Sequence, residues 1–163
     1  MTNEDDSLPP AFGVYGLLMK DDALLVIDKN GGPYINRYDL PGGSLEEGET
    51  LAEAMRREFT EETGFEVALE RQIGVADFKL PWDWREFDEV HHVAVFYLVR
   101  QTGGALGIPD QFVGQDSLGA RWVKADEVSI DNTSPLVLEA FRWIKEQQLD
   151  LEARQFTNWH VLK

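Results

Sequence analysis

The chain has 163 residues and no cysteine, which allows one domain with a sizeable core and excludes disulfides and thiol chemistry. Fifteen Lys and Arg residues stand against 30 Asp and Glu residues, a net charge of −15 that excludes a broad basic surface for a nucleic-acid duplex. The N-terminus MTNEDDSLPP lacks an apolar signal segment, and no stretch reaches the length of a membrane span, so we expect a cytoplasmic protein.

The first part of the chain predicts a tail, two strands and a loop. Residues 1–10 are polar and end in two prolines, which predicts a flexible tail before a single domain over residues 11–163. AFGVYGLLMK and ALLVIDK flank a turn at Asp21-Asp22 and predict a hairpin of two largely apolar strands. The Gly, Pro and Asn content of NGGPYINRY predicts a loop.

Next in chain order, GSLEEGETLAEAMRREFTEETGF, Gly43 to Phe65, concentrates glutamate residues in what is predicted to be a single helix. Thr50 and Glu53 fit a capping box, so the helix should begin at Leu51, and Gly64 suits the left-handed position that ends a helix. Its apolar stripe consists of Leu51, Ala52, Met55 and Phe59, and its solvent side of Glu53, Arg56 and Thr60.

The rest of the chain predicts further strands and a second helix. FEVALERQIGVADFKL and EVHHVAVFYLVR predict strands, and the second is apolar on both sides, which is typical of a strand covered on both faces. A long loop, QTGGALGIPDQFVGQDSLG, precedes a short strand, ARWV, and an amphipathic helix, SPLVLEAFRWIKEQQ. Residues 150–163, with Phe156 and Trp159, predict a final strand. Two helices with strands between them indicate an α/β fold, an α/β/α sandwich around a mixed β-sheet.

Three carboxylates of the acidic helix, Glu58, Glu61 and Glu62, fall together at the edge of its apolar stripe. Like charges at this spacing destabilise an exposed helix by about 0.2–0.5 kcal/mol per pair, and by more where they are partly buried. Two interpretations are open: a solvated acidic face, and a site for a hard divalent cation such as Mg²⁺, which binds carboxylate oxygens. Gly42 and Gly43, before the helix, let the backbone approach a ligand or offer a carbonyl to a metal.

The same residues carry a resemblance to a known family. Gly43, Glu49 and the run from Arg57 to Phe65 match the Nudix box, G-x5-E-x7-R-E-U-x-E-E-x-G-U, where U is a bulky apolar residue. All seven fixed positions are present, while Phe59 and Phe65 stand where Ile, Leu or Val is usual. The order of strands and helices over about residues 11–148 is also similar to the Nudix fold.

This resemblance implies a Nudix-like α/β/α sandwich and a metal-dependent pyrophosphohydrolase that cleaves a nucleoside diphosphate linked to another group. It implies Mg²⁺ or Mn²⁺ as the cofactor and a small nucleotide derivative as the partner of a monomer or homodimer. The alternative is a Nudix-like nucleotide-binding or regulatory domain that has lost turnover. Carried over by position, Glu58 and Glu62 are the principal metal ligands, with a carbonyl of Gly42 or Gly43. The resemblance makes Glu61 a further ligand or a group that orders water, makes Glu58 and Glu61 the catalytic candidates, and pairs Glu49 with Arg57 to hold the loop to the helix.

An additional metal ligand is expected outside the acidic helix. Asp116, in the long loop before GARWV, lies where several MutT-like relatives supply an acidic residue, and Asp110 is the reserve candidate. The rival interpretation of Asp116 is a solvated loop aspartate.

Aromatic residues near WDWREF are the candidates for substrate binding. Trp82 and Trp84 are predicted in a loop between two strands and could stack on a base, with a dimer contact and loop packing as alternatives. For His91 and His92 a structural role is favoured over chemistry.

Overall fold

The computed structural model describes residues 10–84 and 87–163, and in these ranges the chain forms nine strands, two α-helices and two short 3-10 helices. The elements are β1 (Pro10–Leu17), β2 (Met19–Lys20), β3 (Ala23–Lys29), β4 (Tyr38–Asp39), β5 (Gly42–Gly43), α1 (Leu51–Thr63), β6 (Phe65–Trp84), β7 (Phe87–Gly104), β8 (Ser117–Lys124), α2 (Pro135–Glu146) and β9 (Arg154–Gln155). The predicted tail lies outside the described residues except for Pro10, which begins β1. The described residues include no helix that is long and apolar enough to cross a membrane.

The larger sheet has five strands in the order β5, β1, β7, β6, β9. Its strand directions are mixed: β1 is parallel to β7, from Pro10 opposite His91 to Leu17 opposite Leu98, whereas β5 is antiparallel to β1 and β6 to β7. Together with the two helices, this sheet confirms the predicted α/β class and the mixed sheet.

A second sheet of four strands contains β2, β3, β4 and β8. The predicted turn at Asp21-Asp22 is present, and Met19 pairs with Leu24 across it. The predicted hairpin is therefore present between β2 and β3, but its first strand is shorter than predicted, because the segment AFGVYGLLMK is interrupted at Leu18 and β1 pairs in the larger sheet. This interruption lets one apolar segment contribute to both sheets.

The two helices cover opposite faces of the larger sheet. Ala54, Met55 and Phe59 of α1 pack with Val14 and Val95 in one apolar cluster. A second cluster joins α2 to the other face of the sheet through Leu136, Val137, Ala140 and Trp143, which pack with Phe78, Ala94 and Phe96. The prediction that β7 is covered on both faces is therefore confirmed.

The hairpin of β6 and β7 extends further than the sequence predicts. Pro81 pairs with Glu89 and Trp84 with Phe87, so Trp82 lies within a strand and the prediction of a loop at WDWREF is wrong there. The aromatic residues favour the extended pairing, because they pack well on a pleated surface. At the C-terminus, the predicted final strand is limited to β9, and Trp159 packs in the core instead.

Candidate active site

Helix α1 presents its acidic residues where the helix meets the larger sheet. The amide of Glu53 donates to the Thr50 side chain at 3.2 Å, and Gly64 ends the helix with a left-handed φ of 87°, as the capping pattern predicts. Met55 and Phe59 are fully buried, whereas Glu53 is exposed. This rotation of the helix turns Glu58 and Glu62 towards the Gly42-Gly43 strand.

Glu62 is a carboxylate with almost no contact with solvent, at 2% exposure. One oxygen, Oε1, accepts a hydrogen bond from the Gly42 amide at 2.7 Å, while the buried Oε2 has no hydrogen-bond partner. Burial raises the pKa of Glu62 well above its usual value, although Lys29 and the Gly42 amide oppose this shift. The protein thus contains a buried acceptor oxygen without a hydrogen-bond partner. This costs free energy unless a cation or a proton binds to the oxygen.

Glu58 lies directly against the backbone of the strand that precedes the helix. A Cβ built on Gly43 would stand 2.9 Å from the Glu58 carboxyl carbon, so a side chain at this position would displace the carboxylate. Burial raises the pKa of Glu58 to about 7, while neighbouring Arg57 acts to lower it. Gly43 therefore provides the space in which the Glu58 carboxylate and the backbone come together.

Arg57 connects the acidic helix with the loop before it. Its Nε and Nη2 atoms donate to the two carboxylate oxygens of Glu49, at 2.5 and 2.8 Å, and its Nη1 donates to Glu58 at 3.0 Å and to Glu61 at 3.2 Å. The hydrogen bonds from Arg57 lower the pKa of Glu49 to about 2. This bidentate pair brings together Glu49 and Arg57, which the motif pairs, and orients two of the three clustered glutamates.

Two residues that the sequence did not single out, Lys29 and Asp39, extend the site. Lys29 Nζ lies 3.2 Å from Asp116 Oδ2 and 4.0 Å from Asp39 Oδ2. Burial opposes the charge on Lys29, yet Asp39, Glu62 and Asp116 together raise its pKa above the usual value. Lys29 and Asp39 lie on either side of a segment that the sequence predicts only as a strand end and a loop. No local sequence pattern indicates that their side chains approach the acidic helix.

The structure separates the two aspartates considered as additional ligands. Asp116 lies beside Lys29, and its carbonyl accepts from the Asn30 amide at 2.7 Å. Asp110 is exposed and lines a different pocket with Glu61 and Gln115. Asp116 is thus the aspartate that belongs to the Lys29 and Asp39 group.

A cavity of about 260 Å³ opens beside these charged residues. Trp82 lines it together with Tyr15, Tyr34, His92 and Lys29. His92 is buried and bonded on both ring nitrogens, whereas His91 is half-buried and its Nε2 lies 2.7 Å from Asp77 Oδ2. The side chain of Trp84, the other predicted stacking residue, lies outside the described residues.

The oxygen donors around α1 fit a divalent cation that keeps part of its water. Within residues 10–84 and 87–163, no three acidic or histidine side chains are grouped closely enough to form a complete metal cage. Mg²⁺ does not require one, because it usually binds through one or two carboxylates and retains several waters. The unpartnered Oε2 of Glu62, the nearby Glu58 carboxylate and the Gly42-Gly43 backbone supply donors of this kind.

The mixed sheet between two helices and the buried carboxylates beside a diglycine strand define an α/β domain with an acidic site where the first helix meets the sheet. A family model described as the NUDIX domain matches residues 7–147. The chain therefore belongs to the Nudix family.

Two named relatives and one solved structure resemble the chain. It is 41% identical over 103 residues to the ADP-ribose pyrophosphatase of Methanocaldococcus jannaschii, which covers 63% of this chain and 58% of that protein. It is 30% identical over 105 residues to human 8-oxo-dGDP phosphatase NUDT18, which covers 64% of this chain and 29% of that protein. The matches thus span less than two thirds of the length of either relative. A NUDIX hydrolase from Nitrosomonas europaea has the same fold, with a TM-score of 0.65, 22% identity and coverage of 86% and 92% of the two chains.

Proposed function

We propose that the chain is a metal-dependent pyrophosphohydrolase that cleaves a nucleoside diphosphate linked to another group. The observation that carries the proposal is the buried, unpartnered Oε2 of Glu62 beside Glu58 and the diglycine strand. A purely structural position of this kind would favour an uncharged side chain, since burying a charge without a partner costs free energy. The names of the relatives, an ADP-ribose pyrophosphatase and an 8-oxo-dGDP phosphatase, support a nucleotide derivative as the substrate.

The residues of α1 divide the work of the proposed site. Glu58 and Glu62, with a carbonyl of Gly42 or Gly43, would hold Mg²⁺ or Mn²⁺. A bound divalent cation supplies charge neutralisation for the pyrophosphate and an activated water. Glu61 is 39% exposed and bonded to Arg57, so it can order water or take its proton at the edge of the site, and Glu58 is the other candidate for this role.

Arg57 and Glu49 act as supports in this proposal. Their two short hydrogen bonds fix the loop that follows Gly43 to the helix that carries the glutamates. Positioning matters here because a small displacement of a catalytic group has a large effect on rate.

Asp116 is proposed as the acidic contribution from outside the helix, acting together with Lys29. In the structure Lys29 holds the Asp116 carboxylate, so Asp116 would reach a cation only as part of this ion pair. Lys29 carries the positive charge of that ion pair. It also lines the cavity, where it would meet a phosphate of the substrate.

The cavity beside Trp82 is proposed to hold the base or another flat part of the substrate. Its volume of about 260 Å³ lies just below the range of about 300–1,000 Å³ for complete drug-sized ligands, which fits one ring system better than a dinucleotide. Trp82 would stack on that ring, since base stacking on an aromatic side chain contributes about 1–3 kcal/mol in single-strand binding proteins.

A substrate panel tests the proposal. The purified chain is supplied with Mg²⁺ or Mn²⁺ and offered nucleoside triphosphates, ADP-ribose, dinucleoside polyphosphates and nucleotide sugars, and the release of nucleotide and phosphate is measured. We expect metal-dependent cleavage of at least one member and none in the presence of EDTA. Absence of cleavage of every member, with metal binding demonstrated by calorimetry, would favour the binding or regulatory domain instead.

A further inference from the structure

A buried histidine joins two tyrosines in the wall of the cavity that also contains Trp82. His92 Nε2 lies 2.8 Å from the Tyr15 hydroxyl, and His92 Nδ1 lies 2.8 Å from the Tyr34 hydroxyl. All three side chains are buried and line the cavity. The proposed hydrolysis at α1 assigns no role to this group, which we call the tyrosine-histidine relay.

With a neutral histidine ring, the relay has three polar protons, one on the ring and one on each tyrosine hydroxyl. Its two internal hydrogen bonds use two of these protons. Burial lowers the pKa of His92 to about 3, so its ring is neutral at neutral pH. A neutral imidazole has one N–H donor and one acceptor nitrogen, whereas each tyrosine hydroxyl is both a donor and an acceptor. One tyrosine therefore donates to the ring and the other accepts from it, and the accepting tyrosine keeps its own O–H proton for another partner.

The relay has two arrangements with the same number of internal hydrogen bonds. With the ring proton on Nδ1, Tyr34 accepts from His92 and keeps a free O–H; with the proton on Nε2, Tyr15 does so instead. A change between them keeps both internal hydrogen bonds and moves only the spare O–H from one tyrosine to the other, and so avoids the cost of losing a hydrogen bond inside the relay. A tyrosine that faces the ligand is thus a donor in one arrangement and an acceptor in the other.

Aromatic rings enclose the relay and limit its alternative partners. Phe78 contacts the His92 ring at 6.4 Å between centroids, and Trp159 contacts the Tyr34 ring at 5.7 Å, both in edge-on geometry. Trp159 is itself held by a hydrogen bond to the Pro33 carbonyl at 3.0 Å. Such a shell holds the three side chains in register and strengthens each hydrogen bond by lowering the local dielectric.

We propose that His92 is a positioning residue whose ring proton shifts between its two nitrogens, so that one tyrosine hydroxyl donates to a carbonyl edge or accepts from an amino edge of the ligand. The site therefore takes nucleobases of both hydrogen-bonding patterns, a 6-carbonyl purine and a 6-amino purine alike. The inference rests on the proposed function, because it places the base of the nucleotide in this cavity.

Binding measurements without metal separate this inference from hydrolysis. Inosine 5′-monophosphate and adenosine 5′-monophosphate present opposite patterns at the purine 6-position, and ribose 5-phosphate lacks the base. By calorimetry in EDTA, we expect the wild-type chain to bind the two nucleotides within about threefold of each other and ribose 5-phosphate at least tenfold more weakly. Discrimination between the nucleotides by more than about thirtyfold, or equally tight binding of ribose 5-phosphate, would overturn the inference.

Tyr15→Phe and Tyr34→Phe test the relay itself. Each variant leaves one tyrosine, and the ring proton then points to that tyrosine, because a buried N–H without a partner is rarer than a bare acceptor. The remaining tyrosine is fixed as a donor. We expect one variant to favour the 6-carbonyl nucleotide by about tenfold and the other, which loses the hydroxyl that faces the ligand, to bind both nucleotides more weakly. An unchanged ratio and affinity in both variants would contradict the proposal.

Tyr97→Phe is the matched control. Tyr97 is another buried tyrosine and lies on β7. It packs in the cluster under α1, and its hydroxyl accepts a hydrogen bond from Gln72 at 3.1 Å. We expect this variant to keep the wild-type ratio of affinities, whatever its effect on stability. If this variant shifts the ratio of the two affinities as much as the relay variants do, the shift reflects a general loss of packing. That result would overturn the assignment of His92 as a positioning residue.

The ring proton can be observed directly by nitrogen NMR of labelled protein. The chain has three histidines, and His91→Gln and His160→Gln identify the His92 signals by elimination while the relay stays intact. We expect the protonated nitrogen of His92 to differ between the complexes with the two nucleotides. The same protonated nitrogen in both complexes would overturn the inference, even if the chain hydrolyses a substrate as proposed.

Discussion

Glu62 is the residue at which burial and charge conflict most directly. Its side chain is almost completely enclosed, one oxygen is unpartnered, and Glu58 adds a second negative group nearby. Packing alone does not explain a carboxylate in this position, since an isostructural amide would avoid the charge. A cation that binds there explains why the residue is acidic and why Gly42 and Gly43, without side chains, lie against it.

Trp82→Ala should weaken substrate binding without removing catalysis. Trp82 lines the cavity, whereas the glutamates of α1 are left unchanged by the substitution. We expect the KM of the best substrate to rise by about tenfold or more, with kcat within about threefold of wild type. The solution mass is measured in parallel, and a changed mass with unaltered kinetics would assign Trp82 to a dimer contact.

Asp116→Asn should lower turnover and raise the metal concentration needed for half-maximal rate. The substitution removes the carboxylate that Lys29 holds at 3.2 Å, and with it one negative charge of the site. We expect a loss of about tenfold or more in kcat. Asp110→Asn is the control, because Asp110 is exposed and does not line the cavity that contains Lys29 and Asp116, and equal effects of the two variants would refute the choice of Asp116.

Helix α1 ends at a glycine that the neighbouring loop leaves no room to replace. Gly64 has a φ of 87°, and a Cβ there would lie 2.2 Å from the Ala105 carbonyl oxygen, so the loop after β7 packs tightly against this end of the helix. The same end carries Glu61 and Glu62, which makes the fit between helix and loop part of the site's geometry.

Gly64→Ala should destabilise the protein more than Gly48→Ala. Both glycines have positive φ, 87° and 79°, which costs a non-glycine residue about 1–2 kcal/mol. Only Gly64 adds a backbone clash, since a Cβ at Gly48 would meet nothing within 4 Å. Urea denaturation gives the free energies of unfolding of the two variants. Equal losses of unfolding free energy in the two variants would show that the loop after β7 moves to accommodate the added Cβ and that this contact does not hold α1.

Local sequence patterns predicted the elements that depend on local physics. The capping residues Thr50 and Gly64 and the double-sided apolar pattern of β7 are set by nearest neighbours and burial, and they were found as predicted. The interruption at Leu18 was missed, because it depends on which strand pairs with β1 across the molecule. Lys29 and Asp39 were missed for the same reason, since tertiary packing alone brings them to the acidic helix.

At the scale of the whole molecule, the net charge of −15 destabilises the folded state through repulsion between like charges, and each buried carboxylate adds to that repulsion. A second case lies far from α1 in sequence, where Glu139 of α2 is fully buried and its Oε1 accepts from the Asp150 amide at 2.5 Å. The second carboxyl oxygen of each residue, Glu139 Oε2 and Asp150 Oδ2, is buried without a hydrogen-bond partner. A shared proton between these carboxyl groups would satisfy both and hold the C-terminal segment to α2.

Glu139→Gln should change how stability depends on pH. Burial, assisted by Asp150, raises the pKa of Glu139 to about 7 from 4.5 in the unfolded chain, so the folded state binds the extra proton. Its contribution to stability is complete below pH 4.5 and is lost as the pH rises to about 7. At pH 8 we expect the variant to be more stable than wild type by an amount on the order of 2 kcal/mol, and similar to wild type near pH 4.5.

Thermal unfolding across this pH range measures that difference, with Glu146→Gln as the control. Glu146 lies on the same helix and pairs with Arg142 at the surface, so its substitution should leave the pH profile almost parallel to that of wild type. A Glu139→Gln profile that is parallel to wild type throughout would show that Glu139 is ionised in the folded protein.

The central claim is that the carboxylates between α1 and the diglycine strand perform hydrolysis, and the turnover of Glu58→Gln and Glu62→Gln tests it most directly. Glu53→Gln on the exposed side of the same helix is the control. With the best substrate of the panel and saturating Mg²⁺, we predict that each of the two variants loses about 10²-fold or more in kcat, while Glu53→Gln stays within about threefold of wild type. Both variants should unfold at or above the wild-type temperature at neutral pH without metal, because each loses a carboxyl group whose raised pKa lowers the stability of the folded state at that pH. Near-wild-type turnover in both folded variants would contradict the account.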